Sequence, residues 1–154
     1  MTPVEGGLAA QLLLAVVAVV LAVTARPAAR NVLAGTACAG LSAAGAVTGA
    51  LALAGHEGAL RLATALPVAP LVLAPDRLGG LFLLVAGAVG VLASVYAIGY
   101  VHGPSASRSQ WAALAVFLLG MQLVPAAADV VSFLLAWELM AGASTVTIPP
   151  PRST

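Results

Sequence analysis

The chain has 154 residues, of which 62% are hydrophobic and 7% charged, and its mean hydropathy is +1.10; about a quarter of a soluble domain's residues are charged. Six arginines, no lysine and five acids leave a formal net charge of +1, which excludes a basic face for nucleic acid and a polybasic patch for anionic lipid. The lone cysteine, Cys38, excludes a disulfide framework within the chain, and the composition as a whole is that of an integral membrane protein in a lipid bilayer.

A spanning helix needs about 20 mostly apolar residues, and charges, prolines and histidines divide the chain into five such runs, at 8–25, 32–55, 78–101, 110–127 and 129–148. The first is a uniform Leu/Val run. Val23-Thr24-Ala25 loosely resembles a signal-peptide cleavage site, but Glu5 precedes the run and Arg26 and Arg30 follow it, so an uncleaved first helix is expected. The second run is rich in glycine and alanine, and Gly45 and Gly49 have the small-xxx-small spacing that lets helix backbones approach closely. Cys38 lies within it and reads as a small buried hydrophobe.

Between 56 and 77 the apolar run breaks. Pro67, Pro70 and Pro75 exclude a continuous helix, and Leu60 to Leu66 alternates loosely with period two, so a short hairpin or a proline-shaped loop at the membrane surface is expected. His56, beside Glu57, reads as a solvated boundary residue. The third helix follows Asp76-Arg77 and ends with Tyr96 and Tyr100 on one face, at the depth of interfacial aromatic anchors. A polar turn with His102, Pro104 and Arg108 leads to Trp111, the fourth helix ends near Pro125, and Asp129 is the one charge before the fifth. The two histidines fall in loops on opposite sides, and no phosphate loop, nucleophile triad or metal cluster is visible, so neither a cofactor nor a metal is expected.

With five spans, Arg26, Arg30, Arg108 and Arg152 share one side, and Arg61 and Arg77 share the other with Glu57, Asp76 and Asp129. The positive-inside rule then places the N-terminus outside.

The fifth run, DVVSFLLAWELMAGASTVTI at 129–148, carries one carboxylate, Glu138, at its middle. A charge at that depth costs roughly 2.5–3.5 kcal/mol on translocon scales, so it is expected to face a bundle interior or a water path and to have a function. Large residues lie on one side of it along the helix and small ones, Ala141, Gly142 and Thr145, on the other, which leaves room for a neighbouring helix or water.

The residues WELM at 137–140, preceded by FLLA and followed by GAS, resemble the fifth-helix motif of the proton-conducting antiporter-like membrane subunits, the family of the complex I, Mrp antiporter, hydrogenase-4 and formate hydrogenlyase membrane subunits, with the hydrogenase-4 branch the nearest in pattern. LVLAPDRLGGLFLLV at 71–85 and ASVYAIGYV at 93–101 resemble that family's third helix, with the same order and spacing. The resemblance extends from about Leu66 to Ser144; the first two helices agree only in hydrophobicity and position. It implies an all-α antiporter-like fold in a bacterial cytoplasmic membrane. Its proton relay would run through Glu138, supported by Trp137, Gly142 and Ser144 of the same motif, and its partners would be the other membrane subunits of a hydrogenase or complex-I-like assembly.

It also implies a lysine on a seventh helix as the partner of Glu138, and about fourteen helices in all. This sequence departs from that pattern in having no lysine, in Gly79 where a serine is usual, and in TVTIPPPRST at 145–154. The chain is therefore expected to be the N-terminal portion of such a subunit, from a truncated or frameshifted reading frame, with a non-helical tail at 149–154. Two alternatives belong to other classes: a small exporter that pairs two copies of Glu138, and a structural membrane protein in which Glu138 pins helix packing.

Overall fold

The computed structural model describes residues 1–63, 70–100 and 108–147. Expectations for Pro67, His102, Pro104, Arg152 and the tail at 149–154 fall outside those residues. Five helices and one small hairpin follow in chain order: α1 (Pro3–Thr24), α2 (Pro27–Leu53), β1 (Leu60–Leu62), β2 (Leu71–Leu73), α3 (Arg77–Tyr100), α4 (Arg108–Ala126) and α5 (Val130–Thr147).

Helix α1 starts five residues before its apolar run. The Thr2 hydroxyl accepts the Glu5 N–H at 3.2 Å and the Glu5 carboxylate accepts the Thr2 N–H at 2.9 Å, a reciprocal cap that satisfies two otherwise orphaned donors. Pro3 supplies the preset first-turn φ. Helix α2 likewise opens on Pro27, so a turn of only Ala25 and Arg26 separates the two helices. Arg30 is buried against that turn and donates to the Ala25 carbonyl at 3.2 Å. Helix α2 is closed by Gly55 at φ +93°, a left-handed conformation that side chains disfavour.

Strands β1 and β2 pair antiparallel, with Leu60 opposite Leu73 and Leu62 opposite Leu71. The outer edge of β2 is covered too: the Ala74 N–H donates to the Ala126 carbonyl, and the Ala128 N–H to the Val72 carbonyl, each at 2.9 Å. The hairpin is thereby joined to the α4–α5 turn and exposes no free edge on that side. Asp76 starts α3 by accepting the Gly79 N–H at 2.6 Å.

Helix α5 is fastened by Asp129. Its carboxylate accepts the Ser132 N–H at 2.9 Å and the Ser132 hydroxyl at 2.8 Å, and that hydroxyl accepts the Val72 N–H at 2.8 Å. The Ser132 N–H first, then its hydroxyl, hold the Asp129 carboxyl below its usual 3.8. A carboxyl with a lowered folded pKa contributes stability above its unfolded value and loses it as the pH falls through the folded one. The amide resonances of Ser132 and Val72 are therefore expected to shift together below about pH 3.8, and Asp129→Asn should remove that step. A step that survives the substitution would mean that another group holds α5 to the hairpin.

Helices α2 and α3 approach closest. A Cβ built on Gly80 would lie 2.8 Å from the Gly49 carbonyl oxygen, and one on Gly87 would lie 2.6 Å from the Ser42 carbonyl oxygen. The small-residue spacing of α2 thus serves two neighbours, since Gly49 meets α3 while Gly45 meets Gln122 of α4.

The core is built largely of small residues, among them Ala15, Ala18, Ala34, Cys38 and Ala115, whereas Leu13, Val16, Phe82, Val85 and Leu92 face outward. Small residues inside and large apolar ones outside is the arrangement of helices in lipid, where close backbone contact rather than water exclusion drives packing. Four helices, α1 to α4, are each long and apolar enough to cross a membrane, and α5 is apolar over Val130–Val146.

A carboxylate groove between the fourth and fifth helices

Chain direction places Arg26, Arg30 and Arg108 at one end of the bundle, the turn end. Glu57, Arg61, Asp76, Arg77 and Asp129 lie at the other, the hairpin end. Glu138 stands eight residues into α5, about halfway between these ends.

The sequence suggests an inward-facing carboxylate, but Glu138 is exposed on the outer side of α5. The physical reason is that α5 packs on α4 and, through Ser132, on the hairpin, while nothing covers its remaining face among the described residues. Glu138 has no hydrogen-bond or ion-pair partner among the described residues.

It lies instead in a groove of about 480 Å³. Helix α5 lines this groove with Glu138, Leu139, Gly142, Ala143 and Val146, and α4 lines it with Ser109, Ala112, Ala113 and Val116. The helices run antiparallel, and an added Cβ on Gly120 would meet the Met140 backbone, so Glu138 stands at the inner end of the groove and Val116 lies nearer the turn end. Seven residues at 1.5 Å each make the α4 wall about 10 Å long, and the groove runs from the middle of the bundle to the turn end. Its floor is alanine and glycine, and Gly142 faces open space, with no atom within 4 Å of an added Cβ.

Of the residues singled out from the sequence, the structure brings Glu138 and Gly142 together. Trp137 is exposed beside them and lines no part of the groove; Ser144 is half-buried and donates to the Ala141 carbonyl at 2.7 Å. The α4 wall was missed, although Ser109, Ala112, Ala113 and Val116 follow the i, i+3, i+4, i+7 spacing of one helix face.

Three other singled-out groups have structural places. The Trp111 ring N–H donates to Asn31 at 3.0 Å, buried between α2 and α4. Tyr96 and Tyr100 stack with centroids 5.5 Å apart on the exposed side of α3 near the turn end. His56 is exposed, its ring nitrogen 3.2 Å from the Leu51 carbonyl, and shares a cleft of about 190 Å³ with Glu57, Asp76 and Arg77 at the hairpin end.

The fold and the apolar exterior define a multi-pass membrane protein built of helices. Two curated proteins of Mycobacterium tuberculosis are similar to it: the uncharacterized protein Rv0083 of strain ATCC 25618 / H37Rv and the uncharacterized protein MT0090 of strain CDC 1551 / Oshkosh. Each is 39% identical over 114 residues, which cover 74% of this chain and 18% of the relative. The chain thus matches less than a fifth of the length of those relatives. No family model matches.

Proposed function

We propose that this chain is the N-terminal part of a proton-translocating membrane subunit of a redox-driven assembly of the hydrogenase or complex-I type, in which Glu138 relays protons. The observation that carries the reading is the placement of the carboxylate: mid-depth on α5, at the head of a groove that leads to the turn end. A carboxyl at that depth is expensive unless it has work to do, and small residues below it leave room for water or for a partner's side chain. With the N-terminus outside, as the arginines suggest, the groove opens on the cytoplasmic side.

Two further observations support a role within something larger. The chain has no lysine, and the arginines in its helices, Arg30, Arg77 and Arg108, lie within the first turn of α2, α3 and α4, so a cation for Glu138 has to come from another segment or subunit. The relatives are also far longer than the matched stretch: 114 residues at 18% imply about 630 in all. The resemblance of 71–85, 93–101 and 137–144 to the antiporter-like subunits names the class.

Affinity purification from gently solubilised native membranes tests this. Recovery with the membrane subunits of a redox complex is expected, whereas recovery only as copies of itself would favour the small-exporter reading. Topology offers a separate check. Single cysteines at Thr2 and Glu57 should react with an impermeant thiol reagent from outside, while one at Arg26 should not, and native Cys38 is buried and silent. Labelling at Arg26 with protection at Glu57 would reverse the orientation.

A further inference from the structure

The hydrophobic core is interrupted at one level. Leu8 of α1 and Leu123 of α4 belong to one buried cluster, toward the hairpin end, and Ala15 and Leu118 of the same helices belong to the next. Between them lie Gln11 on α1 and Gln122 on α4, both fully buried, and α2 adds Thr48; Ser42, six residues nearer the turn end on α2, is also fully buried, with its hydroxyl against Gly90 of α3.

These four side chains have more polar atoms than partners. The Gln11 amide N–H donates to the Thr48 hydroxyl at 3.1 Å, and that hydroxyl donates to the Ala44 carbonyl at 2.7 Å. The Gln11 carbonyl oxygen, both amide atoms of Gln122 and the Ser42 hydroxyl find no partner among the described residues. Other hydroxyls in the bundle are satisfied by their own helix: Thr36 and Ser94 donate to the carbonyl four residues back, the usual device in apolar surroundings. Ser42 makes no such bond. The Gln122 carbonyl oxygen occupies the position where a side chain on Gly45 would begin, and glycine at 45 leaves that place open to it.

We propose that the layer formed by Gln11, Thr48 and Gln122 is a buried water-binding site between α1, α2 and α4. Buried amides are rarely left unpaired, and within a membrane span the helix backbones have already used their own groups. Water both donates and accepts, and typically makes about three bonds at a buried polar site, so it suits a layer that offers two carbonyl oxygens and an amide N–H group. The site is independent of Glu138: Gln122 packs toward Gly45 of α2, whereas the groove is lined by the face of α4 that meets α5.

Water-edited solid-state NMR on the full chain in lipid bilayers, with 15N on glutamine side chains, tests the site directly. The chain has three glutamines, Gln11, Gln110 and Gln122, and Gln11→Leu, Gln110→Leu and Gln122→Leu assign the signals; any two suffice where the third variant does not fold. Magnetisation from water is expected to reach the side-chain amides of both Gln11 and Gln122 with a build-up comparable to that of Gln110 near the turn end. Absence of transfer at either buried glutamine would show a dry layer and overturn the proposal.

Discussion

Gly49→Leu is expected to remove most of the folded chain from the membrane, while Val16→Leu and Val20→Leu leave its level unchanged. A Cβ at 49 would stand 2.5 Å from the Gly80 carbonyl oxygen and 2.9 Å from the Leu83 Cβ, and it would also meet the Leu84 backbone nitrogen. Two of these neighbours are backbone, so no change of rotamer relieves the contact and α2 has to move away from α3. Inserting bulk into a packed site costs about 1–3 kcal/mol and more where backbone must shift, against a total stability of about 5–15 kcal/mol. Val16 and Val20 are 60% and 50% exposed on α1 and point toward lipid. Thermal unfolding in detergent, followed by size-exclusion chromatography, measures the difference. Gly142→Leu is the internal control, because its side chain would enter open space. Equal tolerance at 49 and 16 would show that the two helix backbones do not touch.

The groove makes a prediction of similar size. Val116 lies at the middle of α4 and shares the groove with Glu138. A lysine at a helix centre is penalised by roughly 2.5–3.5 kcal/mol on translocon scales, but in this position an opposite charge awaits it. Val116→Lys is therefore expected to accumulate when Glu138 is present and to fall sharply in combination with Glu138→Gln, with a coupling of about 1–3 kcal/mol in a double-mutant cycle. Leu92→Lys, on the outer face of α3, should be poorly tolerated with either residue at 138. Independent effects at 116 and 138 would mean that the two side chains do not meet across the groove.

Where the helices lie was legible because apolar length is a strong signal, and each of the five runs contains most of one helix. Their starts were less so. The Thr2-x-x-Glu5 cap and Pro3 are local signals that extend α1 beyond its apolar run, and Pro27 does the same for α2. The period-two segment at Leu60 was compatible with a hairpin or a proline-shaped loop, and the fastening of β2 to α5, Val72 to Ser132, joins positions 60 residues apart, which no local pattern reveals. The site was legible as a residue but not as a place. Glu138 stands out by its charge, but α5 is apolar all round, so nothing in its periodicity tells an inner face from an outer one. The same uniformity hid Gln11 and Gln122, whose burial follows from which sides of α1 and α4 turn toward α2.

The role proposed for Glu138, a proton relay that works only with a cation supplied from outside this chain, is tested by proton uptake under an imposed pH gradient, measured in liposomes that carry either the isolated chain or the purified native assembly, each with and without Glu138→Gln. In the assembly the substitution is expected to lower uptake on the order of a hundredfold, the scale for loss of a proton-transferring side chain; in the isolated chain it should change nothing. Unimpaired uptake by the substituted assembly, or Glu138-dependent uptake by the isolated chain, would contradict the account.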